Sequence, residues 1–327
     1  MVTETTYLQA IHQALREELL RDPRVFLLGE DIGVYGGAFK VTKGLLQEFG
    51  EQRVMDTPIS ESAIIGVAVG AALTGMRPVA EMQFADFITT GFSQIVTNAA
   101  TLHYRHGIAV PLVVRAPSGG GIHGGPFHSK HPEAWFMHQP GLKIVAPATA
   151  RDAKGLLKSS IRDDNPVLYF ENKFLYRRIK EGMADEDESL VPLGQASIHR
   201  SGRDVSIITY GAMVHAAQQA AEILAARDGV EAEIIDLRTL KPLDQAALIA
   251  TAAKTNRVVI VHEANLTGGI GGEISALLGE HAFEWLDAPI KRVAGLDTPT
   301  PYSPVLEEAF MPDAGKIIAA VREVMHY

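Results

Sequence analysis

Residues 56–87 read DTPISESAIIGVAVGAALTGMRPVAEMQFADF, and the rest of the chain is best read outward from them. Pro58 suits the approach to a helix, Ser60 is a helix-capping residue type, and Glu61 opens a run of apolar and small residues of helical length. A carboxylate at that point has an ordinary explanation, because the helix dipole favours an acidic residue in the first turn by about 0.3 to 1 kcal/mol. The return of the chain favours a site instead. A short strand, 77–84, brings back Gln83 and then Phe87, a polar and an aromatic side chain of the kind that lines a pocket. Gly66, Ala68, Gly70, Ala71 and Ala72 let another backbone or another subunit come close.

Upstream, residues 7–20 place Leu8, Ile11, Leu15 and Leu19 at helical spacing, which predicts an amphipathic helix ended by Pro23. The apolar strand 25–28 runs into the glycine-rich GEDIGVYGGAF, so Glu30 and Asp31 fall at a strand's carboxyl end, where open α/β sheets bind ligands. As a pair they suit Mg²⁺, or they are simply exposed. Downstream, a helix at 92–105, a strand at 111–115, a strand at 143–146, a helix at 151–161 and a strand at 167–170 continue the alternation that builds a parallel sheet with helices on both faces. Between them, residues 116–132 form a long loop, APSGGGIHGGPFHSKHP, of a length that is commonly functional.

After residue 180 the pattern stops in KEGMADEDESLVPLG, acidic and without period, read as a linker over 181–193. Strand and helix then alternate again from 204 to 278. The fold class is therefore α/β with two doubly wound domains, 1–180 and 194–327. TGGIGGE at 267–273 follows a strand and opens a helix, but its spacing is not that of a dinucleotide fingerprint, and close backbone packing explains it better. His123, His128, His131 and His138 crowd the long loop without zinc-ligand spacing; one of them acting on substrate is the sharper expectation, and solvated histidines the plainer one for the other three.

Composition narrows the classes. With 30 basic and 39 acidic residues, a net charge of −9 and no basic cluster, nucleic acid and anionic membranes are poor partners. The absence of cysteine excludes disulfides and thiolate chemistry and fits a cytoplasmic protein, and the longest apolar run, 64–76, is too short to span a bilayer.

Read together, LLGED (27–31), RVMDTPISE (53–61), GMRPVAEMQFADF (75–87), PLVVR (111–115), HSKHPEAWF (128–136), PGLKIVAP (140–147), DAKGLLKSSIRDDNPV (152–167), ITYG (208–211) and DLRTLKPLD (236–244) resemble the beta subunit of the thiamine-diphosphate-dependent decarboxylating component of 2-oxo acid dehydrogenase complexes. The resemblance covers the whole chain. It implies a transketolase-like pyrimidine-binding domain followed by a transketolase carboxyl-terminal-like domain. It implies further that Glu61 hydrogen-bonds the aminopyrimidine ring nitrogen of thiamine diphosphate, that Glu30, Ile59, Ser60 and Gln83 line that pocket, and that Phe87 stacks on the ring. Phe84, Ala85, Asp86 and Phe87 would border the substrate. His128 matches a loop histidine that handles substrate or the lipoyl arm, and Leu112, Ser160, Ile161, Asp163 and Asn165 match a potassium site made largely of backbone carbonyls. No GDG segment occurs; GED at 29–31 and RDG at 227–229 lie elsewhere in the pattern. The resemblance thus implies an alpha subunit that holds the diphosphate and Mg²⁺, an α₂β₂ assembly, and a lipoyl-bearing acyltransferase as next partner. Branched-chain 2-oxo acids or pyruvate are the expected substrates, with an acetoin-cleaving enzyme, a transketolase-like transferase and a noncatalytic assembly subunit as alternatives.

Overall fold

The structure, a computed structural model, describes residues 2–184 and 190–327. The chain divides into two compact units, one of residues 1–118 and 135–193, the other of 119–134 and 194–327. The long loop thus belongs to the second unit, although it is spliced into the sequence of the first.

In order the chain forms β1 (Val2–Thr6), α1 (Tyr7–Arg21), β2 (Val25–Gly29), α2 (Leu45–Phe49), β3 (Val54–Asp56), α3 (Glu61–Leu73), β4 (Arg77–Glu81), α4 (Ala100–His106), β5 (Val113–Ser118), α5 (Glu133–Met137), β6 (Lys143–Val145), α6 (Ala150–Arg162), β7 (Val167–Asn172) and β8 (Lys180–Ala184). In the first unit six strands lie parallel in the order β6-β7-β5-β4-β2-β3. β2, β5 and β7 are buried along their whole length, which is why they read as continuous apolar runs. The register sets Gly29 level with Asp56 on one side and Glu81 on the other, so three strands end together and hand their next residues to one edge. α1 starts with a reciprocal cap, Gln9 N–H donating to Thr6 Oγ1 at 3.1 Å and Thr6 N–H to Gln9 Oε1 at 2.8 Å. Its inner face meets α6, where Glu17 pairs with the buried Lys154 and Lys158 at 2.6 and 2.8 Å.

Four local expectations need correction. The strand expected over 77–84 stops at Glu81, because the chain turns into a 3-10 helix, Ala85–Thr89. The helix expected over 92–105 begins as a π-helical segment, Gln94–Ala99, before α4. Ser60 sits at the N-cap of α3 but makes no capping bond through its side chain. The expected linker opens with β8, antiparallel to β1 with Thr6 opposite Lys180; its partner lies far back in the sequence, so no local pattern announces it. Residues 185–189 of that linker lie outside the described residues.

The second unit contains β9 (Ser197–Arg200), β10 (Val205–Thr209), α7 (Met213–Asp228), β11 (Ala232–Asp236), β12 (Thr239–Lys241), α8 (Gln245–Thr255), β13 (Val258–Asn265), α9 (Ile270–His281), β14 (Lys291–Gly295), α10 (Pro304–Phe310) and α11 (Ala314–Met325). Its sheet runs β14-β13-β10-β11-β9, parallel except for β9 at the edge. The glycines of TGGIGGE pack on a buried ring: a Cβ at Gly269 would lie 2.5 Å from His262 Cε1, and one at Gly271 2.8 Å from His262 Nε2. Among the described residues no helix is long and apolar enough to cross a membrane.

Candidate active site

At the carboxyl edge of β2, β3 and β4 the first unit gathers Glu30, Glu61, Gln83, Phe84 and Phe87. Glu30 follows β2 directly and is buried, whereas Asp31, in a left-handed conformation (φ 57°), turns out to solvent. The two therefore differ in exposure, and among the described residues no group of three or more His, Cys, Asp or Glu side chains could hold a metal ion. Glu30 accepts a hydrogen bond from the Ser60 backbone N–H, and its Oε1 is buried without a partner. Burial first, then the neighbouring Glu61 charge, push its carboxyl above the usual carboxylate range. Two carboxyls so placed offer hydrogen-bonding oxygens to a polar heteroaromatic ring.

Glu61 opens α3 and is half-buried, with the Thr90 hydroxyl 3.0 Å from its Oε2. The same hydroxyl lies 2.9 Å from the Phe87 carbonyl oxygen. Phe87 and Phe84 meet edge to face at 5.7 Å between ring centroids, and Phe84 meets Phe39 at 5.3 Å. Lys173 Nζ stands 5.7 Å over the Phe84 ring while donating to Pro117 O at 3.1 Å. Gln83 Nε2 donates to Asp31 Oδ2 at 3.3 Å. Of the residues expected to border substrate, Ala85 and Asp86 are buried, because the 3-10 turn points them inward and presents Phe84 and Phe87. Ile59 is 84% exposed.

Several supporting residues carry no sequence signal of their own. Asp56, at the end of β3, accepts the Gly33 N–H at 2.6 Å and the Val34 N–H at 3.2 Å, holding the glycine-rich loop; a Cβ at Gly33 would lie 2.6 Å from Asp56 Oδ2. Behind β4, the fully buried Arg115 bonds Glu81 at 2.5 Å and pairs also with Glu171.

His128 lies in the second unit, half-buried at the end of a 3-10 turn, Gly125–Phe127. His131 corrects the solvated reading: its side chain is 8% exposed, with Nε2 2.9 Å from Glu263 Oε1 and Nδ1 3.7 Å from Glu133 Oε2. His123 pairs with Glu307 at 2.7 Å, and His138 is exposed.

Of the residues matched to a potassium site, four have carbonyls that accept hydrogen bonds within the chain. Leu112 O accepts Val167 N–H at 2.8 Å, Ser160 O accepts Asp163 N–H at 3.3 Å, and Ile161 O and Asp163 O each accept Arg77 Nη1 at 3.0 Å. The Asp163 carboxylate takes Lys143 Nζ and, at 2.8 Å, Asn165 N–H. Arg77 and Lys143 thus place two positive charges beside these groups.

Residues 3–178 match the transketolase pyrimidine-binding domain and residues 194–317 the transketolase C-terminal domain. A solved chain described as split-gene transketolase, inactive β4 tetramer, superposes with a TM-score of 0.82 over 98% of both chains at 23% identity, a likeness of fold alone. Fold and domain matches thus define a transketolase-like pyrimidine-binding protein. The chain is 52% identical over 325 residues to the 2-oxoisovalerate dehydrogenase subunit beta of Bacillus subtilis (strain 168), covering 98% of this chain and 99% of that one. It is 45% identical over 326 residues to the mitochondrial pyruvate dehydrogenase E1 component subunit beta of Dictyostelium discoideum, covering 98% and 91%. The chain belongs to the E1 beta subunits of the 2-oxo acid dehydrogenases, a family whose role depends on thiamine diphosphate.

Proposed function

We propose that this chain provides the aminopyrimidine half of a thiamine-diphosphate site for the oxidative decarboxylation of a 2-oxo acid, branched-chain or pyruvate, with acyl transfer to a lipoyl group. The observation that carries the reading is the neighbouring pair Glu30 and Glu61, with an orphaned buried Glu30 oxygen, and Thr90 linking Glu61 to the Phe87 backbone. When bound, the cofactor supplies the carbanion chemistry that stabilises charge left by departing carbon dioxide. Glu61 would hold the proton shared with the ring nitrogen, Glu30 would bond the ring's polar edge, and Phe87 would fix its plane. Gln83, steadied by Asp31, closes the polar wall. His128 would serve substrate or the lipoyl arm.

The partner is an alpha subunit that contributes the diphosphate and Mg²⁺ half, in an α₂β₂ assembly in the cytoplasm. α3 supports this: from Ile64 to Leu73 it carries no polar side chain, yet Val67 is 57% and Leu73 41% exposed. A helix apolar all round is normally buried on all sides. Potassium near Arg77 stands as a proposal of the same kind, and such an ion would share the Ile161 and Asp163 carbonyls with that guanidinium. The acetoin-cleaving alternative differs only in substrate. Calorimetric titration of thiamine diphosphate and Mg²⁺ into the chain alone, into the chain with alpha subunit and into the Glu61→Gln complex tests the reading. Weak binding and no decarboxylation alone, with both restored by the alpha subunit, are expected; full decarboxylation by the isolated chain refutes the shared site. Assays against pyruvate, branched-chain 2-oxo acids and acetoin settle the substrate.

A further inference from the structure

The loop that carries His128 is closed at its neck by one carboxylate. Glu263, near the end of β13 and 4% exposed, accepts the Gly120 N–H at 2.6 Å and stands 2.9 Å from His131 Nε2, eleven residues further on. The Gly119 N–H donates to Lys130 O at 3.2 Å across the same neck. A second buried carboxylate, Glu307 of α10, grips the ascending limb: Oε1 accepts the Gly121 N–H at 2.9 Å, and Oε2 accepts the His123 N–H at 3.0 Å with the His123 ring at 2.7 Å. Gly120 leaves room for Glu307 and Met311, since a Cβ there would lie 3.1 Å from Glu307 Oε1 and 3.0 Å from Met311 Sδ. On the descending limb the Tyr210 hydroxyl donates a hydrogen bond to Glu133 Oε1.

A hydrogen bond from backbone N–H to a buried ionised carboxylate is about twice as strong as a neutral one, and leaving either partner alone is costly. Three such amides within four residues, plus the His131 contact, make this loop far more constrained than its glycine content implies. His128 hangs between the two anchored limbs. We infer that Glu263 and Glu307 are positioning residues for His128, fixing the loop so that its imidazole meets the acyl-accepting lipoyl group. This rests on the proposed role of His128. The carboxylates themselves touch no substrate.

The test uses the complex with its alpha subunit and compares Glu307→Ala, Glu307→Gln, His128→Ala and the double variant Glu307→Ala/His128→Ala. Turnover is read twice, as acyl transfer to lipoamide and as decarboxylation coupled to an artificial electron acceptor that bypasses the lipoyl group. Glu307→Ala should slow lipoamide transfer by about tenfold or more, the scale of a misplaced catalytic group, with smaller loss in the acceptor assay. Glu307→Gln, which keeps one acceptor oxygen, should recover part of the rate, and the double variant should be no slower than His128→Ala. Hydrogen exchange gives an independent readout: the Gly121 and His123 amides should be protected in the parent and exposed in Glu307→Ala, while the Gly120 amide, held by Glu263, stays protected. Additive losses in the double variant, or normal transfer in Glu307→Ala while His128→Ala is slow, overturn the positioning role alone. Normal transfer in His128→Ala overturns the histidine's role and this inference with it. If Glu307→Ala fails to fold, Glu263→Gln and Gly120→Ala carry the same comparison.

Discussion

The Thr90 hydroxyl lies 3.0 Å from Glu61 Oε2 and 2.9 Å from the Phe87 carbonyl oxygen, and it has one proton to give. The hydroxyl can donate to the Glu61 carboxyl or to the Phe87 carbonyl, but not fully to both. Thr90 thus couples the acid to the backbone of the stacking residue. Thr90→Val should lower turnover of the complex by roughly three- to tenfold, the scale of one lost hydrogen bond, and Thr90→Ser should retain most of it. Steady-state rates of the two variants decide.

Glu61→Gln should leave the fold intact and reduce turnover about a hundredfold or more, as expected for loss of acid–base function. Exchange of the cofactor's reactive ring proton, followed by NMR in the reconstituted complex, is the sharper measurement. Near-normal exchange would remove Glu61 from its assigned role.

Arg115 stands between Glu81 and Glu171 in a fully buried cluster. Burial pushes Glu171 up to about 7, with the Arg115 charge opposing. Arg115→Met leaves two carboxyls without their cation and should cost about 3 to 5 kcal/mol in urea unfolding. Adding Glu81→Gln and Glu171→Gln should recover much of that loss.

Burial pushes the His262 imidazole down to about 4 from an ordinary 6.5, and its Nδ1 lies 3.0 Å from Ala264 O. Between those values the unfolded chain binds a proton that the folded chain refuses. The stability contribution is therefore complete above about pH 6.5 and lost as pH falls toward 4, on the order of 3 kcal/mol at 1.4 per pH unit. Glu171 tilts the opposite way over about 4.5 to 7, so the comparison is between the parent and His262→Gln: the variant should show a shallower loss on acidification.

Gly141 has φ 88°, and a Cβ there would overlap the Ala100 carbonyl oxygen, which as backbone cannot swing aside. Gly141→Ala should cost about 3 kcal/mol or more. Gly229, also left-handed but with open space around it, should tolerate alanine at about 1 kcal/mol. Thermal unfolding of the two variants side by side separates collision from conformational strain.

What the sequence determined by itself was local. Apolar runs and helical spacing marked most strands and helices of both α/β halves, and the position of Glu61 at the opening of a small-residue helix was visible in DTPISE. The closeness of Glu30 to Glu61 was not, since it depends on β2 and β3 lying side by side in register so that Gly29 and Asp56 end together. Thr90 had no pattern at all; it reaches Glu61 from the end of a 3-10 turn for which the sequence offered no expectation. His131 looked like its exposed neighbours until Glu263, 132 residues away, met it. Periodicity reports which face of an element is buried, but not what the neighbouring element places there; that is set by strand order and loop closure, which only the folded chain has.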